Sequence, residues 1–166
     1  ITIDTPLDKK DRGKPNEVFA YLKKALPYLK SGVLIIVSSQ LPAGSHLRIS
    51  KYIKEHRRNL NFDYACLPEN LRLGEAVDSF MKPSRIIIGI DNPKRKSLMV
   101  SIFKKLKASI LIMDIASAEM VKQATNAFLA TSLSFIYDIA DICEAVGADV
   151  TQVAKALRED SRIGQA

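Results

Sequence analysis

This sequence is poor in cysteine, and none of its apolar runs approaches the ~20 residues that span a bilayer. Its two cysteines, Cys66 and Cys143, lie in apolar surroundings, which is typical of reduced core residues and favours a cytoplasmic protein. No charged, apolar leader with a small-residue cleavage site precedes the first residues, so secretion is not indicated. Internal repeats and low-complexity segments are also absent. With 47% apolar and 26% charged residues among 166, we expect a globular protein without a membrane partner.

Positive charge exceeds negative charge, with a formal net charge of +7. This excess allows an anionic partner, whether nucleic acid, an acidic surface or a phosphorylated metabolite. However, the basic residues fall in scattered groups, within residues 9–14, 51–58, 94–96 and 104–107. Aromatic residues are not interleaved with them as stacking platforms. The charge pattern therefore predicts a solvated basic surface, and no nucleic-acid partner is expected.

Glycine-rich phosphate-binding turns are missing as well, since no G-x-G-x-x-G occurs. Short β-rich runs nevertheless alternate with helical ones, which is typical of βαβ units around a parallel sheet. Residues 33–37 form a continuous apolar run suited to a strand covered on both faces. Further strands are predicted at residues 62–66, 85–90 and 109–113, and helices from Asn16, around residues 47–53 and over residues 95–106. A dinucleotide-binding sheet normally carries the glycine turn after its first strand, and ITID opens the chain as a strand end, which suggests that this strand is missing.

From about Ser117 the sequence predicts an unbroken helix that ends at Gly147, a residue type suited to the position after a helix. At about 100° per residue, its apolar residues form two adjoining stripes: Phe128, Phe135, Ile139, Ile142 and Val146, and Leu129, Leu133, Ile136, Ala140 and Cys143. Two stripes are too wide for one packing partner, so we expect one to pack on the chain's own sheet and the other on a second subunit. This pattern predicts a homodimer formed through the helix at residues 117–146.

Together these patterns predict an α/β fold, in which a partial Rossmann-like parallel sheet is followed by a long central helix and a short helix. The predicted domains are residues 1–114, the C-terminal part of a Rossmann-like domain, and residues 115–166, a central helical dimerisation region. The short helix is expected after Asp149, which forms a capping-box pair with Gln152.

Lys122 and Asn126 lie one turn apart at the head of the long helix, where they continue an apolar stripe. An unpaired ammonium group is costly to bury, so this lysine either reaches solvent or faces a site. One interpretation is a lysine that extends along the first turn to place its charge in water. The other is a site in which a cation and an amide on one helix face converge on a single atom.

The segment AEMVKQATNAFLATSLSFIYDIADICEAVGADVTQVAKAL, residues 118–157, resembles the central dimerisation helix of the UDP-glucose/GDP-mannose dehydrogenase family. Shorter segments match the same family in order and spacing: TPLD at residues 5–8, SQLPAGS at 39–45, PENLRLGEAV at 68–77, then PSRIIIG, and RIG at 162–164. The family consists of NAD-dependent nucleotide-sugar oxidoreductases. The resemblance covers the second half of the NAD-binding domain and the central helices.

The resemblance implies NAD-dependent oxidation of the C6 hydroxymethyl group of a nucleotide sugar, as in the conversion of UDP-glucose to UDP-glucuronate, a polysaccharide precursor. Family members carry a glycine-rich turn before these segments, and a cysteine motif and a second Rossmann-like domain after them. This chain is therefore expected to be a fragment of such an enzyme. Neither Cys66 nor Cys143 matches the catalytic-cysteine motif.

By resemblance, Lys122 would stabilise negative charge that develops on the sugar oxygen, and Asn126 would position that oxygen and a water. Glu69 would orient the water or act in acid–base chemistry; the alternative is an exposed turn residue. Thr5 and Ser39 match positions that contact NAD, although Thr5 could equally be a strand-end hydroxyl.

Two further residues match substrate positions. The backbone around Leu71 would lie along the substrate, and Arg162 would reach into the sugar site of the neighbouring subunit unless it is an ordinary charge near the chain end. No metal site is predicted.

Three residues depart from the family's usual pattern: Gln40 replaces a threonine, Asn70 a phenylalanine and Leu73 a second glutamate. A lost carboxylate beside the nicotinamide would remove a water ligand or a proton acceptor. These departures leave an alternative function open, a non-catalytic dimerisation or structural module derived from the same family.

Overall fold

The structure, a computed structural model, describes residues 1–3, 5–6, 15–69, 71 and 74–163 of the chain. The chain divides into two compact units, Ile1–Gln123 and Ala124–Ala166. The first unit carries a β-sheet with its surrounding helices, and the second is helical.

The sheet in the described part of the first unit has the strand order β1-β2-β3-β4, with β1 at Val33–Val37, β2 at Phe62–Cys66, β3 at Arg85–Ile90 and β4 at Ser109–Met113. Each of these segments was predicted as a strand, and the α/β fold class is confirmed. The helices are α1 (Asn16–Ala25), α2 (Ser45–His56), α3 (Ala76–Met81), α4 (Lys96–Phe103), α5 (Ile115–Val146) and α6 (Val150–Glu159). Helix α3 was not predicted from the sequence.

One strand pairing departs from the predicted parallel sheet. Strands β1 and β2 are parallel, as are β3 and β4, but β2 and β3 pair antiparallel through Ala65 with Ile90 and Cys66 with Gly89. Helices α2 and α4 join the parallel pairs and bury residues against the sheet, as crossover helices do. Helix α3 has 6 residues and buries none of them, so it does not act as a crossover between β2 and β3.

Residues 1–3 lie along the free edge of β1. The amide of Ser38 donates to the carbonyl of Ile1 at 2.8 Å, and the nitrogen of Ile1 lies 2.6 Å from the carbonyl oxygen of Ile36. Ile1 thus bonds to the residues on either side of Val37, which is the hydrogen-bonding pattern of parallel strands. The predicted strand end therefore pairs with the sheet.

The sheet is covered on both faces, as the apolar run of β1 predicted. One core lies between the sheet and helices α1, α2 and α5, with Val18, Leu22, Ile35, Val37, Ile49, Ile53, Tyr64 and Ile115 among its residues. The other contains Ala65, Ile86, Ile88, Met99 and Phe103, and so packs α4 on the opposite face. Burial of each large apolar side chain stabilises the fold by about 1.5–3 kcal/mol.

Gly89 in β3 allows helix α5 to approach the sheet closely. A Cβ atom at this position would lie 2.6 Å from the Cβ of Ala118 and 2.9 Å from the Cα of Ile115. Because the second of these atoms belongs to the helix backbone, it cannot give way unless the whole first turn moves. The absence of a side chain at Gly89 therefore sets the position of the start of α5.

Replacing Gly89 with alanine is expected to lower the free energy of unfolding by about 1–3 kcal/mol, because the new methyl group overpacks this contact. Urea denaturation followed by circular dichroism measures the change. Ala118→Gly removes the nearer clashing atom, so the double variant should recover part of the loss beyond what the two single variants predict by addition. Strict additivity would show that β3 and α5 do not touch in solution.

In the second unit, Gly147 ends α5 in the predicted way, with a φ of 73°. Cys143 is buried, but large apolar residues of both stripes are exposed, namely Phe128, Leu129, Leu133, Phe135, Ile142 and Val146. The packing of one stripe on the chain's own sheet therefore stays a prediction. Within the described part of this unit, α5 has only α6, of 10 residues, to pack against, which is too little to cover either stripe.

Asp149 caps α6. Its carboxylate accepts hydrogen bonds from the amide and hydroxyl of Thr151 at 2.8 and 2.6 Å, and from the side-chain amide of Gln152 at 3.0 Å. The predicted pair of Asp149 and Gln152 is thus present, although the glutamine bonds to the carboxylate rather than to the backbone. Every one of these bonds favours the charged form of the aspartate.

These hydrogen bonds, chiefly that from the Thr151 hydroxyl, lower the pKa of Asp149 from 3.8 to about 2. A lowered pKa in the folded state contributes stability above the ordinary value, and this contribution is lost as the pH falls from 3.8 through about 2. Helix α6 is therefore expected to lose order over that interval, as measured by amide chemical shifts. Asp149→Asn should remove this pH dependence, whereas Asp141→Asn, at an exposed position in α5, should leave it unchanged. If α6 still lost order over this pH interval in Asp149→Asn, Asp149 would not be the cause.

Candidate functional site

A cavity of about 740 Å³ opens at the edge of the sheet where β1 and β2 end. Its lining includes residues that follow β1 (Ser38, Ser39 and Gln40), residues that follow β2 (Leu67, Pro68 and Glu69) and the start of β3 (Arg85, Ile86 and Ile87). The start of β3 lies at this edge because β3 runs antiparallel to β2. Ligands of α/β sheets bind at the carboxyl ends of parallel strands, and the volume lies within the ~300–1,000 Å³ usual for small-molecule sites. We call this feature the sheet-edge cavity.

Gln40 and Glu69 join the loops that follow β1 and β2. The side-chain amide of Gln40 donates to Glu69 Oε2 at 3.0 Å, and the other carboxylate oxygen of Glu69 accepts from the amide of Leu71. Glu69 is half-buried and Leu71 is exposed, and both line the sheet-edge cavity. The structure thus brings two sequence-predicted site residues together and adds a third, Gln40, which sequence analysis had noted only as a departure.

Ser39 and Thr5, the residues predicted to contact a cofactor, fasten residues 1–5 to the loop after β1. The Ser39 hydroxyl oxygen accepts from the amide of Ile3 at 3.0 Å, and the Thr5 hydroxyl donates to the carbonyl of Gln40. Thr5 is buried, so its single proton is already committed within the protein. Ser39 lines the sheet-edge cavity, and its hydroxyl proton has no acceptor among the described residues.

Lys122 and Asn126 both lie in α5, on either side of the boundary between the compact units. Lys122 is half-buried and Asn126 is exposed. Among the described residues neither side chain has a hydrogen-bond or ion-pair partner. Their spacing places them on the same face of the helix, with both polar groups available to a ligand.

Arg162 is exposed and paired with Asp160. Its Nε and Nη2 donate to the two carboxylate oxygens at 2.9 and 2.5 Å. This pairing raises the pKa of Arg162 and lowers the pKa of Asp160. Any role of the guanidinium in another subunit's site would require exchange of this local partner. The departures at Asn70 and Leu73, and Gly164 of the RIG segment, lie outside the described residues.

Glu119 is a buried carboxylate that sequence analysis did not single out. It accepts from the amides of Gly44 and His46 at 2.7 and 3.0 Å, and from the His46 ring Nδ1 at 3.0 Å. Although glutamate is a charged residue type, only 6% of the surface of Glu119 is exposed to solvent. The sequence did contain one signal for this residue: a carboxylate one turn before Lys122, with apolar residues on either side of it.

Cys66 is not a candidate nucleophile. Burial, followed by the charge of Glu119, raises its pKa to about 12, so the thiol stays protonated at neutral pH. Burial also raises the pKa of Tyr64, whose hydroxyl has no hydrogen-bond partner among the described residues.

Matches to known families and proteins cover nearly the whole chain. Residues 1–107 match the NAD binding domain of the UDP-glucose/GDP-mannose dehydrogenase family, and residues 116–166 match its central domain. Among curated relatives, the UDP-glucose 6-dehydrogenase of Rickettsia conorii is 34% identical over 166 residues, covering 99% of this chain and 38% of that protein. The UDP-glucose 6-dehydrogenase TuaD of Bacillus subtilis is 36% identical, with 99% and 36% covered. The chain thus spans less than two-fifths of the length of these relatives.

Solved structures agree on the fold. A UDP-glucose dehydrogenase from Pyrobaculum islandicum superposes with a TM-score of 0.87 at 30% identity, covering 99% of this chain and 39% of that one. A GDP-mannose dehydrogenase from Pseudomonas aeruginosa superposes with a TM-score of 0.88 at 22% identity, covering 100% and 40%. At that lower identity only the fold is comparable. No helix in the described part of this chain has the length and apolarity to cross a membrane.

Proposed function

Because this chain belongs to the UDP-glucose/GDP-mannose dehydrogenase family, we propose that it is part of an NAD-dependent enzyme that oxidises the C6 hydroxymethyl group of a nucleotide sugar. UDP-glucose is the proposed substrate, because the relatives at 34% and 36% identity carry that activity in their names. The observation that carries the proposal is the sheet-edge cavity, whose lining combines Ser39, Gln40 and Glu69 from the loops after adjacent parallel strands.

The sheet-edge cavity fits part of a dinucleotide such as NAD. Apolar walls from Ile3, Leu67 and Ile87 suit a flat ring, while Ser39 and Gln40 supply polar groups at its edge. Ser39 would hold the cofactor through its hydroxyl, whereas Thr5 would act by keeping the loop in place, since its proton is engaged. When bound, NAD supplies the hydride acceptor.

The chain's own residues have separate roles in this proposal. The ammonium group of Lys122 stabilises negative charge on the sugar oxygen as the oxygen loses its proton. This lysine has no salt-bridge partner among the residues that the structure describes, so its charge is free for that role. Asn126 donates to the same oxygen from one turn along the helix. Glu69 orients a water or accepts a proton through the carboxylate that Gln40 holds. The Leu71 backbone runs along the substrate.

We further propose a homodimer in which residues 117–146 of two copies pack together, with Arg162 entering the partner's sugar site. The exposed apolar residues of α5 support this, because an exposed apolar surface of this extent marks an interaction site. In this arrangement residues 1–114 form the NAD-binding part and residues 115–166 the dimerisation region. A cytoplasmic location is supported by the two free, buried cysteines.

The decisive experiment expresses the complete reading frame that encodes this chain and supplies NAD with UDP-glucose. Formation of NADH together with UDP-glucuronate, identified by mass spectrometry, is expected. GDP-mannose and free glucose are the matched controls. NADH formation with GDP-mannose but not with UDP-glucose would contradict the proposed substrate. If no nucleotide sugar gave NADH, a non-catalytic module would be favoured.

Gln40→Leu is expected to lower kcat/KM about tenfold, because an exposed hydrogen bond to the Glu69 carboxylate is lost. Gln40→Glu should reduce it further, since two carboxylates would face each other. Steady-state kinetics at saturating NAD measures both variants. If Gln40→Leu retains full activity, the bond to Glu69 has no part in the reaction.

A further inference from the structure

We propose that Glu119 is a positioning residue, which holds the loop after β1 against the first turns of α5 and so fixes Ser39 and Gln40 relative to Lys122. The inference rests on the proposed function and adds a residue to it. Glu119 itself does not touch substrate or cofactor in this scheme. It acts through the backbone of Gly44 and His46.

The contact of Glu119 with Gly44 and His46 joins two segments that are distant in sequence, and we call it the clamp. The two carboxylate oxygens of Glu119 accept three hydrogen bonds, two from the backbone of Gly44 and His46 and one from the His46 ring. These contacts join positions that are 73 and 75 residues apart in sequence. Because α2 begins at Ser45, the carboxylate satisfies amides at a helix N-terminus, where negative charge is stabilised.

The carboxylate is also enclosed, which makes the clamp rigid. Glu119 lies close enough to β2 for its charge to act on Tyr64 and Cys66, in addition to the effect of burial on both groups. A buried carboxylate that lost its donors would be left with an unpaired charge, which is strongly unfavourable. The loop is therefore held in one arrangement as long as Glu119 keeps these hydrogen bonds.

Both ends of the clamp are anchored. On one side, contact with Gly89 sets the start of α5 on β3. On the other, the loop leaves β1 and carries Ser39 and Gln40 into the sheet-edge cavity, where Gln40 bonds to Glu69. Lys122 lies one turn after Glu119 on the same helix. Release of Glu119 would thus shift the cofactor-side loop relative to the proposed catalytic lysine.

The test compares Glu119→Gln with the parent, both expressed from the complete reading frame. Glu119→Gln keeps the shape but turns an acceptor into a donor that faces backbone amides. We expect a folded protein whose kcat falls about 10²-fold, the cost of a misplaced reacting group, with little change in the KM for UDP-glucose. Hydrogen exchange of residues 40–46 should accelerate. Glu55→Gln is the matched control, since Glu55 is exposed at the far end of α2, where its carboxylate lies 3.9 Å from the ammonium nitrogen of Lys51.

Two further variants keep the test decisive. His46→Gln removes the ring bond but leaves both backbone bonds, so its loss should be clearly smaller than that of Glu119→Gln. If Glu119→Gln does not fold, Glu119→Asp retains the charge and shortens the reach by one methylene group, and the same fall in kcat is expected.

Unchanged kcat in a folded Glu119 variant would overturn the inference. So would a loss of activity that follows only the fraction of unfolded protein, because that is a purely structural role. If the parent itself oxidises no nucleotide sugar, the proposed function fails separately. Hydrogen exchange then decides about the clamp: accelerated exchange of residues 40–46 supports it, and unchanged exchange refutes it.

Discussion

Replacement of Lys122 with alanine is expected to lower kcat by about 10²–10³-fold, the usual loss when one donor that stabilises a developing oxyanion is removed. Lys122 is half-buried, and its ammonium group has no ion-pair partner among the described residues, so its charge is available to a reacting oxygen. Steady-state kinetics of the complete reading frame with NAD and UDP-glucose measures this effect. Titration calorimetry of UDP-glucose supplies a second readout, because weaker binding in Lys122→Ala would place the sugar near the head of α5.

The control for this experiment is Lys105→Ala, which removes one positive charge from an exposed position in the first unit. It should leave kcat unchanged. If both variants lose activity equally, the effect is one of net charge on an anionic substrate, and Lys122 has no specific role. If neither loses activity, the lysine is a solvated residue of the first turns of α5, as the alternative interpretation of the sequence had it.

Leu133→Glu is expected to weaken dimerisation by at least about 10²-fold, because a charge would replace an apolar contact at the centre of the proposed interface. Leu133 is 57% exposed in the single chain and belongs to one of the two apolar stripes of α5. Sedimentation equilibrium of the parent and the variant measures the dissociation constant.

Ser134→Glu is the matched control, since it adds the same charge one residue along, at an exposed position outside both apolar stripes. It should dimerise like the parent. A parent that is monomeric at micromolar concentration would refute the dimer. Equal dissociation of both variants would instead indicate that the helix associates through its other arc, or that charge alone causes the effect.

The sequence predicted those parts of the fold that depend on neighbouring residues. The apolar run at residues 33–37 became β1 at Val33–Val37, and the periodicity after Ser117 became a helix that ends before Gly147. Both are local properties, because a strand or a helix is specified by side chains within a few residues of one another. The residues quoted for the family resemblance likewise needed no structure, and the family comparisons confirm it.

Only the tertiary structure decided how those elements meet. The antiparallel pairing of β2 with β3 follows from a connection whose short helix buries nothing, and no periodicity signals that outcome. The bond between Gln40 and Glu69 turned an apparent departure into a contact. Glu119 could not be found in the same way, since its partners lie 73 and 75 positions away and only the tertiary fold brings them together. The sequence by itself therefore determined the strands, every helix except α3, the family and the candidate residues other than Glu119. Long-range packing decided which residues act on one another.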